Sequence, residues 1–320
     1  MKNKTLRIGS RGSELALWQS NWVKAELNKH FPELKSEIIT ITTTGDKILD
    51  TPLSKIGDKG LFMKEIDQAL LDGRVDLAVH SLKDVPTSIP SGLTIGAVSK
   101  REDAHDVFIA HPEKSYKKFE DLPHGAKVAT GSLRRKCQLL HWRPDITIME
   151  IRGNLNTRMK KLEESDWDGM VLASAGLLRL GWEQRMTEIL PFERMLPAVG
   201  QGTLAIEIRE GDAEIRKVVS AINHEETARA VAGERALLRH LEGGCQIPIG
   251  TYGRIENEQL RLDAVIGTVD GRKIVRGKIH GAPEQAEELG QQLAQMLLDS
   301  GGKEILEHIR GRVLAAIPAI

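Results

Sequence analysis

The sequence predicts two α/β lobes of similar size joined by a double crossing, followed by a small α+β domain. Three observations carry that prediction. Strand and helix patterns alternate through the first two thirds of the chain, as in α/β folds. The alternation restarts after Lys100-Arg101-Glu102-Asp103, and a glycine pair in Gly200-Gln201-Gly202 precedes a strand pattern that could cross back into the first lobe. Beyond about His224 the pattern changes to one helix, alternating strands and a hairpin signal. At 320 residues the chain exceeds one small core. The expected domains are 1–100 plus 203–222, then 101–202, then 223–320.

Leu6 to Ser10 is a strand candidate that runs into Arg11-Gly12-Ser13 and a helix with Leu15, Trp18 and Trp22 on one face. Glu37 to Thr43, rich in Ile and Thr, is a second strand. Thr44 to Gly60 is polar and carries glycines and a proline, so it is a candidate lid. Phe62, Ile66, Ala69 and Leu70 make one helical stripe, which Gly73 stops. Val75, Leu77 and Val79 alternate with Asp76, Ala78 and His80 as a strand, and Leu93 to Val98 is another. Such alternation implies parallel sheets.

In the second lobe the strand candidates are Val107–Ala110, Lys127–Thr130, Thr147–Arg152 and Met170–Ala173, with helices starting near Ser132 and Asn154. Leu204, Ile206 and Ile208 alternate as the strand of the return crossing. Two lobes joined by two crossings form a hinged cleft. In the last third a helix spans about His224 to Leu241. Leu260, Leu262, Ala264 and Ile266 then form a strand, Asp270-Gly271 a hairpin turn, and Lys273–His280 the returning strand. A final helix carries Leu289, Leu293, Met296 and Leu297 on one face.

Lys+Arg and Asp+Glu are both 45, so no general positive field exists to coat nucleic acid, and aromatic residues are only 4%. The N-terminal stretch lacks the apolar run of a signal peptide, and no window approaches the ~18 apolar residues of a membrane span. A cytoplasmic chain without a membrane partner is expected. The two cysteines, Cys137 and Cys245, lack the spacing of a metal site, so no metal is expected. A reducing compartment disfavours their pairing.

Basic residues recur at strand ends and in the turns that follow: Arg11, Arg134, Arg135, Arg152, Arg158 and Arg179. Ligands of open α/β sheets bind at the carboxyl ends of strands, where helix N-termini offer free N–H groups and arginine offers a planar fork for carboxylates. Each arginine alone is an ordinary surface charge; their repetition points to a ligand with several negative groups. Lys83-Asp84 also ends a strand. An aspartate among cations can stabilise a cationic intermediate or move a proton, or it can simply bond its own turn. Cys245 follows Gly243-Gly244 in a loop, where a thiol can be a nucleophile, an attachment point or inert. Cys137 falls inside a helix and is read as structural.

Taken together, several segments resemble the porphobilinogen deaminase (hydroxymethylbilane synthase) family. They are Arg11-Gly12-Ser13 through Gln19, Lys59-Gly60-Leu61-Phe62, His80-Ser81-Leu82-Lys83-Asp84-Val85-Pro86-Thr87 and Thr130-Gly131-Ser132-Leu133-Arg134-Arg135. They continue with Ile151-Arg152-Gly153-Asn154, Thr157-Arg158, Ala175-Gly176-Leu177, Arg179-Leu180, Pro197-Ala198-Val199-Gly200-Gln201-Gly202 and Glu242-Gly243-Gly244-Cys245.

The resemblance implies a transferase of haem biosynthesis that joins four porphobilinogen molecules into the linear tetrapyrrole hydroxymethylbilane, releasing ammonia each time. It implies two lobes like those of periplasmic binding proteins, a monomer, and a dipyrromethane cofactor held by a thioether on Cys245. It implies that Asp84 is catalytic, stabilising the azafulvene cation left when ammonia departs. Ser13, Lys83, Asp84, Ser132, Arg134, Arg135, Arg158 and Gly176 are implied to bind the cofactor. Arg11, Ser13, Gln19, Arg152, Arg158 and Arg179 are implied to bind the substrate, with Lys55 and Lys59 on the lid. The competing expectation is a two-lobed solute-binding or effector-sensing protein, which would leave the third domain and Gly243-Gly244-Cys245 without a purpose.

Overall fold

The computed structural model describes residues 5–47, 63–241 and 247–315. In the first lobe, β1 (Leu6–Ser10) leads into α1 (Glu14–His30), β2 (Ser36–Thr40) and the single turn α2 (Thr44–Lys47). Then come α3 (Lys64–Leu71), β3 (Leu77–Ser81) and β4 (Leu93–Val98). The second lobe contains β5 (Asp106–Ala110), β6 (Lys127–Ala129), α4 (Leu133–Trp142), β7 (Thr147–Met149) and α5 (Leu155–Glu163). It closes with β8 (Gly169–Ala173), α6 (Ser174–Arg179) and β9 (Glu188–Leu190). The chain then makes β10 (Leu204–Arg209), α7 (Ala213–Val219) and the long α8 (Glu225–His240). The last elements are β11 (Ile249–Glu256), β12 (Gln259–Gly267), β13 (Ile274–Gly281), α9 (Ala286–Leu297) and α10 (Lys303–Ala315).

The first sheet has the order β2-β1-β3-β10-β4 and the second β7-β6-β8-β5-β9; the third is the meander β11-β12-β13. Both large sheets are mixed, which corrects the parallel expectation. β10 runs antiparallel to β3 and β4, and β5 antiparallel to β8 and β9. These two are the strands that directly follow a crossing, so each enters its sheet from the opposite side to its neighbours.

Other differences have local causes. The stripe Leu15, Trp18 and Trp22 is only half-buried; α1 buries Ser20, Val23 and Leu27 against its own sheet. The Leu15 side of α1 instead faces the second lobe, close to Gly176. β3 begins two residues later than its alternation suggests, and Leu77, Ala78, Val79 and His80 are all buried because both faces of this central strand are covered. β7 stops at Met149, so Arg152 lies in a loop and not in a strand. Met296 is exposed; Ala286, Leu289, Leu293, Ala294 and Leu297 form the true inner face of α9.

β11 has no clear alternation because Gly250 and Gly253 interrupt it. Each lies where a side chain would strike backbone, Gly250 against the Leu196 carbonyl and Gly253 against that of Ala230. Cys137 is a free, buried thiol in α4, and burial pushes its pKa up to about 12, with Asp270 adding to the rise. Among the described residues, no helix is long and apolar enough to cross a membrane.

Candidate active site

Three of the helices that begin at the carboxyl ends of strands are capped by a residue of the expected turn. The Ser13 hydroxyl accepts from the Ala16 N–H at 3.3 Å, that of Ser132 from Arg135 at 3.4 Å, and the Asn154 carbonyl oxygen from Thr157 at 2.9 Å. The turns after β6 and β7 touch. A side chain at Gly131 would lie 2.5 Å from the Ile151 carbonyl oxygen, so only glycine lets the start of α4 lie against the Arg152 loop. Across the cleft, Asn156 donates to Glu14 at 2.8 Å, and a Cβ at Gly176 would meet Leu155 at 3.0 Å and Leu15 at 3.8 Å. The helix starts of the two lobes therefore face each other.

Lys83 and Asp84 occupy a short 3₁₀ turn, Leu82–Asp84, directly after β3. Leu82 and Val85 on either side are buried with Met63, Val98, Ala205 and Val231. Burying the flanks leaves Asp84 exposed. No described residue donates a hydrogen bond to its carboxylate, although Lys83 and Arg158 both feel its charge. Lys83 keeps some solvent contact, yet the protein packed around its ammonium lowers its pKa to about 8. Asp84 pulls that value up, while Arg135 pushes it down. Gln19, buried in α1, donates to the Ser81 hydroxyl at 2.9 Å and so ties the first helix to this turn.

Arg134 and Arg135 are both buried, and both grip Asp106. Arg134 Nη1 donates to Asp106 Oδ2 at 2.5 Å and to the Leu196 carbonyl at 2.7 Å. Arg135 donates to Asp106 Oδ1 from Nε at 3.0 Å and from Nη2 at 2.8 Å. Gln201, between the paired glycines, donates to the same oxygen at 3.0 Å. Burial opposes ionisation of Asp106, but the two guanidiniums outweigh it and hold the carboxyl well below the usual carboxylate range.

Arg152 and Arg158 are less committed. The Nη1 of Arg152 is buried and has no hydrogen-bond partner among the described residues, and Arg134 Nε is in the same state. Arg158 donates from Nε to the Gly153 carbonyl at 2.8 Å; burial lowers its pKa to about 10, with Arg135 and Arg152 lowering it and Asp84 raising it. It stays charged at neutral pH. Buried guanidinium N–H groups without partners are costly, and a ligand carboxylate is the group that fits them. Arg179 is spent differently: it donates to the Gly202 carbonyl at 2.7 Å and lies 5.9 Å from the Trp18 ring centroid. Arg11 is half-buried in the turn between β1 and α1.

The structure thus gathers Lys83, Asp84, Arg134, Arg135, Arg152 and Arg158 into one electrostatic neighbourhood, with Ser132 at the start of the helix that bears the arginine pair. Arg11, Ser13 and Gln19 lie along the first lobe's edge, and Arg179 lies against the second crossing. Cys245, Lys55 and Lys59 lie outside the described residues. Sequence reasoning missed Asp106, whose only signal is an aspartate heading the apolar run Val107–Ala110. It also missed Glu234 and Arg235, which look like solvated positions of an ordinary helix.

A family model described as porphobilinogen deaminase, dipyromethane cofactor binding domain, matches residues 6–217, and one described as porphobilinogen deaminase, C-terminal domain, matches residues 228–299. The chain belongs to the porphobilinogen deaminase family. It is 51% identical to the porphobilinogen deaminase of Desulforamulus reducens over 97% of this chain and 99% of that one. The porphobilinogen deaminase of Chlorobaculum parvum is 54% identical over 96% and 98%, and that of Geotalea uraniireducens 50% identical over 98% and 97%. Family membership replaces the solute-receptor alternative. Among solved structures, the methionine-binding protein MetQ is similar with TM-score 0.44 and 13% identity, over 72% of this chain and 94% of that one. The VFT2 domain of Bordetella pertussis BvgS is similar with TM-score 0.42 and 14% identity, over 71% and 92%.

Proposed function

We infer that this chain does the work of its family: it is a transferase that joins four porphobilinogen molecules into hydroxymethylbilane, on a dipyrromethane cofactor, in tetrapyrrole biosynthesis. The observation that carries the site assignment is an exposed carboxylate, Asp84, to which no described residue donates, in a field of cations where Arg152 and Arg134 keep buried N–H groups without a partner among the described residues. A ligand bearing several carboxylates fits those donors, and a dipyrromethane with acidic side chains is such a ligand. When bound, it supplies the free pyrrole α-carbon to which the first substrate unit is joined.

The chain's own residues do the rest. Arg11, Arg152, Arg158 and Arg179 hold substrate carboxylates, with Ser13 and Gln19 at the edge of the first lobe. Lys83, Ser132, Arg134, Arg135, Arg158 and Gly176 line the cofactor's place. At each addition the carbon–nitrogen bond of the incoming aminomethyl group breaks and its nitrogen leaves as ammonia, its methylene carbon bonds to the α-carbon of the terminal pyrrole, and one proton departs from that α-carbon. Asp84 balances the positive charge that builds on the incoming pyrrole and takes part in that proton's removal. Cys245 anchors the cofactor by a thioether, and Lys55 and Lys59 close over the site.

The same proposal divides the chain into 1–100 plus 203–222, 101–202 and 223–320, and makes it a cytoplasmic monomer. Its test is direct. The purified protein should release hydroxymethylbilane from porphobilinogen, with one ammonia per unit added, and should weigh more than its sequence by two pyrrole units. Absence of hydroxymethylbilane overturns the function; an unmodified mass in active protein overturns the role of Cys245.

A further inference from the structure

Arg235 lies on α8, in the part of the chain matched by neither catalytic turn, and it is buried. Its guanidinium reaches the backbone just beyond Asp84. Nη1 donates to the Val85 carbonyl at 3.1 Å, and Nη2 donates to the carbonyls of Pro86 at 2.7 Å and Thr87 at 3.4 Å. Among the described residues it forms no salt bridge. A buried guanidinium is expensive unless its N–H groups are satisfied, and this one is satisfied by carbonyls alone. Burial lowers its pKa to about 10, with Arg239 adding to the fall, so it remains charged at neutral pH.

Apolar packing already holds the turn in place: Leu82 and Val85 are buried against Val231, one helical turn before Arg235 on the same face of α8. What packing does not fix is the direction of the backbone. A planar fork bonded to successive carbonyls fixes it, because those carbonyls can satisfy the fork in only one orientation of the segment. Pro86 has no N–H with which to anchor the segment from the other side. The helix is itself fixed. Glu234, fully buried beside Arg235, accepts from Arg101 at 2.7 Å in the first crossing. It also accepts from the Gly200 N–H at 2.6 Å in the second and from the Gly253 N–H at 2.7 Å in β11.

We propose that Arg235 is a positioning residue for Asp84: through the Val85, Pro86 and Thr87 carbonyls it sets where the Asp84 carboxylate points into the cleft, and it ties that direction to α8 and both crossings. The proposal rests on Asp84 being the catalytic carboxylate. The test is a double-mutant cycle on the cofactor-loaded enzyme, using Arg235→Met, Asp84→Glu and the pair, with Arg235→Lys as a second, gentler variant. Asp84→Glu keeps the charge but displaces it. Arg235→Met should keep its dipyrromethane, read by Ehrlich colour, and a KM within about twofold, while kcat falls about tenfold or more. Arg235→Lys, with one ammonium in place of the fork, should recover part of kcat. In the Asp84→Glu background the same Arg235→Met change should cost less than about threefold, since the carboxylate is already out of place.

An unchanged kcat in Arg235→Met, or a kcat loss that only follows lost cofactor, overturns the proposal. So does an equal loss in both backgrounds with Asp84→Glu itself slow. If Arg235→Met does not fold, an unchanged kcat in Arg235→Lys overturns it as well. If Asp84→Glu turns over like the unaltered enzyme, it is the Asp84 assignment that has failed, and the proposal falls with it.

Discussion

Asp84, in the turn after β3, and Asp106, at the start of β5, sit in one field of cations but in opposite surroundings. Asp106 is fully buried, and its oxygens are taken by Arg134, Arg135 and Gln201. Asp84 is exposed, and no described residue donates to it. The difference shows what each can do. A carboxylate with both oxygens bonded inside the protein holds the second lobe, the arginine pair and the second crossing together. A carboxylate whose lone pairs are open can meet a cation that arrives with the substrate. Arg134 and Arg135 belong to the same comparison: each serves Asp106 first, and its other bonds go to backbone carbonyls, Leu196 for Arg134 and Val171 for Arg135.

Substitution should separate the two aspartates. Asp84→Ala is expected to lower turnover by about 10²–10⁴, the range for a lost acid–base group, with the urea midpoint of unfolding almost unmoved. A large fall in that midpoint would make Asp84 structural. Asp106→Asn should behave the other way. It leaves two buried guanidiniums without their counter-charge, a change that costs about 3–5 kcal/mol, and it should appear as a lower urea midpoint and poor cofactor loading. Normal stability in that variant would break the comparison.

The smallest effect expected is a pH dependence from Lys83. Its folded pKa, about 8, lies below the ordinary lysine value. It therefore carries its charge below pH 8 and loses it as the pH rises through 8, while the unfolded chain keeps that charge to higher pH. Its share of carboxylate binding is thus present at neutral pH and lost above. A cofactor held less firmly presents its terminal pyrrole less well, so the apparent KM for porphobilinogen should rise roughly twofold to fivefold between pH 7 and pH 9.5, the worth of one partly screened ion pair. Lys83→Arg, which stays charged throughout, should flatten that rise; a rise of equal size in the variant would assign it to another group.

Much of the site was legible because polar signals at strand ends survive in sequence. Helices begin at Ser132 and Asn154, where the sequence places them, and Arg134, Arg135 and Arg158 follow within about a turn of those caps. Burial was less legible. Leu15, Trp18 and Trp22 have the spacing of a core stripe, but Leu15 and Trp18 face the other lobe, because periodicity gives a face and not what covers it. β11 went unseen because Gly250 and Gly253 serve close backbone approach, and that requirement erases alternation.

By itself the sequence determined where the cleft helices start, two of the three strands of the third sheet (β12 and β13), the repeated cations at strand ends and the motifs of the family. Those are local or cumulative signals, carried by neighbours along the chain. Only the tertiary structure decided which charges are spent. That Asp106 consumes Arg134 and Arg135, that no described residue donates to Asp84, and that Arg235 reaches back from α8 to the Asp84 turn all depend on residues far apart in sequence. The cost of burying a charge is settled by whatever partner the fold brings to it, and no stretch of sequence names that partner.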